Sequence, residues 1–342
     1  MKTEPKEYIK MDTFRFFENQ RELIVGIGSA LVDILTHEQD QFLEKTGAAK
    51  GGMTLVDKDF IERTLALSFN THSIVPGGSA CNTVVGVGKL GGQARFVGKC
   101  GKGDLGKLIE NDLKEQNVQP ALFRSDSPTG RVLSIITPDA QRSMFTYLGA
   151  AAETRPEEIT RECFEGAAIV HVEGYLLFNP ELIQAALSAA KAARARVSLD
   201  LASYTVVENS KELLLNLVDT YVDILIANED EARAFTGFTE ETPALEALAK
   251  MSEIAVLKVG ARGSYIAHAG NIISIDPMGD GKAVDTTGAG DLWAAGFLYG
   301  LVKGLPLARC GELGSACGYE VCQIIGANIP DDGWERIKRL IR

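Results

Sequence analysis

Short apolar runs alternate with stretches of helical periodicity along most of the chain, and this alternation limits the possible folds more than any other feature. Leu23-Ile24-Val25-Gly26-Ile27-Gly28 reads as a first strand. Residues 94–97 read as another, followed by an amphipathic helix at about 104–116. The unit then repeats. A strand at 168–172 precedes a helix at 180–193, a strand at 197–200 precedes a helix at 211–218, and further strands lie at 224–227 and 255–259. Buried strands separated by helices of about 10–15 residues indicate βαβ units and a parallel sheet. Crossovers of one hand then place helices on both faces. The expectation is a three-layer α/β/α domain around a mainly parallel sheet, spanning 21–342.

Two segments break this pattern. Residues 36–57 hold a Gly51-Gly52 pair and little long helical periodicity. Residues 131–137 and 142–148 read as two strands with a turn at Thr137-Pro138-Asp139-Ala140, which is hairpin chemistry inside an α/β chain. Together they predict a small β lid made of two insertions, at about 34–58 and 120–150. Insertions at strand ends are where lids occur, because ligands bind at the carboxyl ends of parallel strands. Residues 1–20 lack the apolar core of a secretory signal and read as a polar extension. No run reaches 18 apolar residues, so no membrane span is expected.

Charge narrows the ligand. The chain has 35 Lys and Arg against 46 Asp and Glu, a formal net charge of −11. That disfavours a nucleic-acid surface, which relies on basic side chains. It leaves room for one small anion held by backbone N–H groups, and so predicts glycines and helix ends at an anion site. None of the six cysteines forms a CxxC pair. They read as buried thiols in a reducing cytosol, and a cytoplasmic location is expected. His37, His72, His171 and His268 show no ligand spacing.

The most informative stretch is Asp285-Thr286-Thr287-Gly288-Ala289-Gly290-Asp291, followed by an apolar helix with small residues at Ala294, Ala295 and Gly296. Gly288, Ala289 and Gly290 therefore sit at a helix N-terminus, where backbone N–H groups lack partners and the dipole favours negative charge. Asp291, just inside the helix, repels a phosphate. It reads either as a base that takes a proton from an attacking hydroxyl or as an acidic residue stabilising the helix start. The dipole favours its ionised form. Upstream, Pro76-Gly77-Gly78-Ser79-Ala80-Cys81-Asn82 brings backbone amides toward a ligand, and Asn82 both donates and accepts. Gly26 and Gly28 fit the start of a dinucleotide fingerprint, but Leu31 occupies the place of its third glycine, so a nicotinamide site is not expected.

These two stretches resemble, in order, the two signatures of the ribokinase/PfkB family of carbohydrate and nucleoside kinases. The first continues through Gly86, Leu90-Gly91-Gly92 and residues 96–106. The resemblance covers about residues 23–330 and implies a ribokinase-like fold. It implies Asp291 as catalytic base and Gly288, Ala289 and Gly290 as the hole for the transferring phosphoryl group. It also implies Asp33, Ser29, Gly77, Gly78 and Asn82 around the acceptor. Asn228 and Glu231 of Asn228-Glu229-Asp230-Glu231 match the family's NxxE motif, which organises Mg2+ largely through water; an N-capping pair is the other reading. Residues 257–263 resemble the nucleotide-site turn, with Lys258, Gly260 and Gly263 beside ATP, together with Thr286. Some relatives hold a monovalent cation near Asp285.

Within the family the chain is similar to the adenosine kinase-like branch, in residues 28–33, 50–53, 148–152 and 172–177. Tyr175 follows a glycine as does the aromatic that stacks on the purine in that branch. Ser29 departs from it, since an Asn is usual there, and this leaves a sugar such as ribose or fructose open as the acceptor. The resemblance implies an ATP- and Mg2+-dependent kinase for a nucleoside or sugar, a monomer or homodimer. The other classes weighed are a non-catalytic nucleoside- or sugar-binding regulator and an oxidoreductase. Arg131 and Arg142 are candidates for approaching phosphate from the lid, or else solvent-facing strand residues.

Overall fold

The computed structural model describes residues 21–46, 50, 52–68, 70–139, 142–279 and 281–341. The expected N-terminal extension 1–20, Gly51 of the glycine pair, Ala140 of the expected turn and the side chain of Arg142 lie outside the described residues.

In chain order the strands begin with β1 (Leu23–Ile27), β2 (Leu31–His37), β3 (Met53–Leu55), β4 (His72–Gly77) and β5 (Ala94–Gly101). Then follow β6 (Val118–Ser125), β7 (Thr129–Ile136), β8 (Arg142–Gly149), β9 (Ala167–Glu173) and β10 (Arg196–Asp200). The last are β11 (Ile224–Asn228), β12 (Ile254–Lys258), β13 (Ser264–His268) and β14 (Asn271–Ile275). They form a nine-stranded sheet in the order β14-β13-β12-β11-β10-β9-β1-β5-β6 and a five-stranded sheet in the order β3-β8-β7-β2-β4. From β12 to β6 the large sheet is parallel. The hairpin β13–β14 closes one edge antiparallel to β12.

The large sheet is buried on both faces, and its side chains alternate between two cores. Ile24, Phe96, Ile169, Ile224 and Val256 pack with helices Ser79–Lys89, Ala289–Val302 and Leu307–Cys322. Their neighbours Val25, Val97, Val170, Leu225 and Leu257 pack with helices Pro180–Ala192 and Tyr204–Tyr221 on the other side. Period-2 exchange between two apolar layers is what a parallel sheet covered by helices requires. This is the three-layer arrangement expected from the sequence. Among the described residues no helix is long and apolar enough to cross a membrane, and the six cysteines are unpaired.

The small sheet differs in its bounds from the insertions read at 34–58 and 120–150. It starts at Leu31 and takes in His72–Gly77, while residues 118–125 pair with β5 in the large sheet. Its pieces are interleaved in sequence, so β2 runs parallel to β7 and antiparallel to β4. The hairpin β7–β8 is antiparallel, as its turn chemistry implies. One face carries Ile34, Leu133, Ile135 and Phe145, covered by Leu43 and Ile61 from helices Asp40–Thr46 and Lys58–Leu67. The opposite face looks onto the carboxyl ends of the large sheet across a cavity of about 580 Å³.

Candidate active site

Four adjacent strands of the large sheet each end on a polar side chain that lines this cavity. Glu173 ends β9, Asp200 ends β10, Asn228 ends β11 and Lys258 ends β12. Facing them is the start of helix Ala289–Val302. Gly288 caps it at φ +73°, a left-handed backbone that glycine adopts without strain. The Ala289 N–H turns back to the Thr286 carbonyl at 3.2 Å. Helix geometry leaves the amides of Gly290 and Asp291 without intrahelical partners, at the positive end of the dipole. Lys258 completes this anion-binding corner, since a Cβ on Gly290 would stand 3.0 Å from its Nζ. Asp285 lies fully buried behind the loop. Its carboxylate accepts from Thr287 N and Oγ1 at 2.9 and 2.7 Å and from Gly326 N at 2.8 Å. It thereby ties the Gly288 loop to the C-terminal region. Thr286 lines the cavity.

Asp291 is held from across the cavity by the other glycine-rich stretch. Its Oδ1 accepts from Ser79 Oγ at 2.8 Å and its Oδ2 from Asn82 Nδ2 at 2.9 Å. Desolvation by its surroundings pushes its pKa up, the donors Asn82 and Ser79 pull it back, and the Asp200 charge adds to the rise. The net direction is upward, against the dipole's tendency to favour the ionised form. Burial pulls the Lys258 ammonium down, but the charges of Asp200 and Glu231 and the 2.7 Å bond to Asp200 Oδ2 outweigh it. Lys258 is therefore a firm cation.

Asn228 and Glu231 form a reciprocal cap on helix Glu229–Thr236. Glu231 N donates to Asn228 Oδ1 at 2.9 Å, while Asn228 N and Nδ2 donate to the Glu231 carboxylate at 2.8 and 2.7 Å. The capping reading of this motif is thus realised. Burial, with the Asp200 charge, raises the Glu231 pKa. Among the described residues no three His, Cys, Asp or Glu side chains converge as a metal cage. The donor set is nonetheless of hard oxygens, and Asp200, Glu231 and Asp291 outnumber the Lys258 cation. That surplus fits a magnesium ion held through water and ligand phosphates rather than by direct carboxylate bonds.

On the acceptor side, Asp33 lies within β2. It is 5% exposed and lines the cavity with Ser29, Gly78 and Asn82. Gly77 does not line it but lies behind Asp33, where a Cβ would come 2.5 Å from Asp33 Oδ2. Above these polar groups the small sheet presents Leu31, Met53, Leu55, Val132, Met144 and Leu148. Tyr175 faces the same space. Its hydroxyl bonds to the Ala202 carbonyl at 3.3 Å, and its ring stacks with Phe178 at 6.4 Å between centroids.

Other candidates lie elsewhere. Gly260 and Gly263 form the turn from β12 to β13 and do not line the cavity. Arg131 points to the helix-covered face of the small sheet, 3.4 Å from Glu62 of helix Lys58–Leu67. His171 is buried against Ser198, and burial lowers its pKa to about 4. Ser79, Glu173 and Asp200 also stand at the site, and the sequence reading gave none of these three a role. The signal for two of them was a carboxylate closing an apolar strand, in His171-Val172-Glu173 and in Ser198-Leu199-Asp200.

Comparison with known proteins agrees with this architecture. Residues 41–333 match the model of the pfkB family carbohydrate kinases. The adenosine kinase of Saccharomyces cerevisiae is 26% identical over 332 residues, covering 90% of this chain and 97% of that protein. A probable sugar kinase from Rhizobium etli CFN 42 superposes with a TM-score of 0.88 at 32% identity, over 93% of this chain and 98% of that one. The adenosine kinase from Sinorhizobium meliloti gives 0.86 at 32% identity, over 94% and 100%.

Proposed function

The chain belongs to the pfkB family of carbohydrate kinases, and on that premise we propose that it transfers the γ-phosphoryl group of ATP to the primary hydroxyl of a nucleoside, adenosine above others. The fold is the ribokinase-like three-layer α/β fold, and the activity is that of a phosphotransferase with an alcohol acceptor. In this reading Asp33, Ser29 and Asn82 hold the hydroxyls of a ribose-like ring. Asp33 offers two acceptor oxygens for a vicinal diol.

Asp291 is the base. As the acceptor oxygen bonds to phosphorus and the bond from phosphorus to the bridging oxygen of ADP breaks, the hydroxyl proton passes to an Asp291 carboxylate oxygen. The hydrogen bonds from Ser79 and Asn82 fix its orientation. Phosphoryl transfer needs chiefly positioning and charge neutralisation. Lys258, beside Gly290, and the helix start supply positive potential where that charge develops. A magnesium ion, when bound with the nucleotide and held through water by Asn228 and Glu231, adds further neutralisation. The small sheet acts as the lid, excluding water that would otherwise consume ATP.

The observation that carries the nucleoside over a free sugar is the wall of the cavity. A sugar needs polar partners around its whole rim. Here the small sheet contributes Leu31, Val132, Met144 and Leu148 with Thr146 among them, the strand ends contribute polar groups, and the stacked pair Tyr175–Phe178 lines the same cavity. An aromatic base with an attached ribose matches that division. The Ser29 departure alters how hydroxyls are held at the polar end and leaves the apolar end untouched.

The test is ADP release with adenosine, inosine, guanosine, ribose and fructose. Burying a heterocyclic base is worth about 3 kcal/mol, so kcat/KM for adenosine exceeds that for ribose by roughly 100-fold. Preference for ribose or fructose would replace the nucleoside with a sugar. Binding without turnover for every acceptor would make the chain a sensor instead.

A further inference from the structure

Phosphoryl transfer as described gives no task to Glu173, which is 1% exposed and lies where the two sheets are joined. The chain leaves the large sheet at residues 28–30, between β1 and β2. It returns at Gly78, between β4 and helix Ser79–Lys89. The chain crosses again between β6 and β7 and after β8, but it is these first two crossings that Glu173 touches. Its Oε1 accepts from Ser29 N–H at 2.7 Å and its Oε2 from Ala80 N–H at 3.0 Å. Gly28 makes room, since a Cβ there would overlap the carboxylate. Gly78, at φ +105°, brings the second crossing against the Ser29 carbonyl of the first.

The same two crossings carry the reacting groups. Ser29 and Asp33 follow the first. Ser79 and Asn82, the donors that hold Asp291, follow the second. We propose that Glu173 is a positioning residue: by accepting one backbone amide from each crossing, it holds the acceptor site and the partners of Asp291 in one register. The clamp itself is independent of the kinase reading; its catalytic consequence rests on that reading.

The chemistry requires a carboxylate. Two acceptor oxygens satisfy two amides, whereas a carboxamide has one acceptor and turns an NH2 toward the other amide. Aspartate is one methylene too short to span both. Among the described residues no cation compensates Glu173; Asp291 faces it from helix Ala289–Val302 and the Cys81 thiol from helix Ser79–Lys89. Burial, with the Asp291 charge, pushes the Glu173 pKa up to about 7, while the two amides and the Ser29 hydroxyl oppose that rise, so the clamp is correspondingly sensitive to loss of the amides.

Hydrogen exchange of unliganded wild type, Glu173→Gln and Glu173→Asp tests the clamp, and steady-state kinetics tests its consequence. Peptides covering residues 28–31 and 79–82 exchange at least ten-fold faster in both variants, with β10 to β12 unchanged. In parallel, acceptor KM rises at least ten-fold and ATP KM stays within two-fold. Unchanged exchange in both variants overturns the clamp, and if acceptor KM still rises, Glu173 touches the acceptor directly. Faster exchange across the whole large sheet, or faster local exchange with unaltered kinetics, overturns the positioning role. Local acceleration in the two variants, beside a wild type that phosphorylates nothing, upholds the clamp and rejects the kinase reading.

Discussion

Asp291 sits between opposing influences. Desolvation and the Asp200 charge raise its pKa; Ser79, Asn82 and Lys258 lower it. A base works only when deprotonated, so a raised pKa moves the acid limb of kcat upward. Activity is therefore lost, as pH falls, at a higher pH than the ordinary aspartate value of about 3.9 would give. Asp291→Asn removes this limb and lowers kcat by about 10²–10⁴, with acceptor KM little changed. An acid limb at or below the ordinary value, or near-wild-type turnover in the variant, would show that another group accepts the proton. Lys258 poses a separate question, because its ammonium is already bonded to Asp200. Lys258→Met lowers kcat by about 10²-fold if the cation faces the transferring group. Asp200→Asn costs less alone and adds almost nothing to Lys258→Met if Asp200 acts only through the lysine. Additive losses in the double variant would give Asp200 a task of its own.

At the scale of elements, the proposed acceptor preference rests on the inner face of the small sheet. Leu148, on β8, presents apolar surface to the cavity, while its neighbour Tyr147 packs on the other face with Phe145. Leu148→Ser raises the KM for a nucleoside by roughly ten-fold and leaves that for ribose within two-fold, a comparison made in one coupled assay. Equal effects on both acceptors would mean that no base lies against this strand. The elements themselves were unevenly legible. Strands at β9 to β12 are apolar runs between periodic helices, and periodicity finds them. β2 follows β1 after three residues and carries Asp33 and Thr36, so it reads as a continuation rather than a strand of another sheet. β4 runs into the glycine-rich motif and ends at its Gly77. The Gly288 turn and the Asn82 stretch were visible because phosphate and hydroxyl binding need particular residue types. Glu173 and Asp200 were not, because a carboxylate closing an apolar strand gains meaning only when the sheet sets that strand end at the cavity.

For the whole molecule, the working parts come from two sheets that face each other across one cavity. The large sheet contributes charge at its strand ends, the helix starts contribute amides, and the small sheet contributes an apolar wall. In the proposed reading an acidic chain binds a phosphate without a basic patch, through one lysine and helix amides at a single corner. Identifying the product of a reaction with ATP, Mg2+ and adenosine tests the account most directly. Phosphorus and proton NMR of the mixture should show one ADP formed per adenosine consumed, with the new phosphate on the primary hydroxyl of the ribose. Intact adenosine beside ADP formed with a free sugar, or phosphate on a secondary hydroxyl, would contradict it.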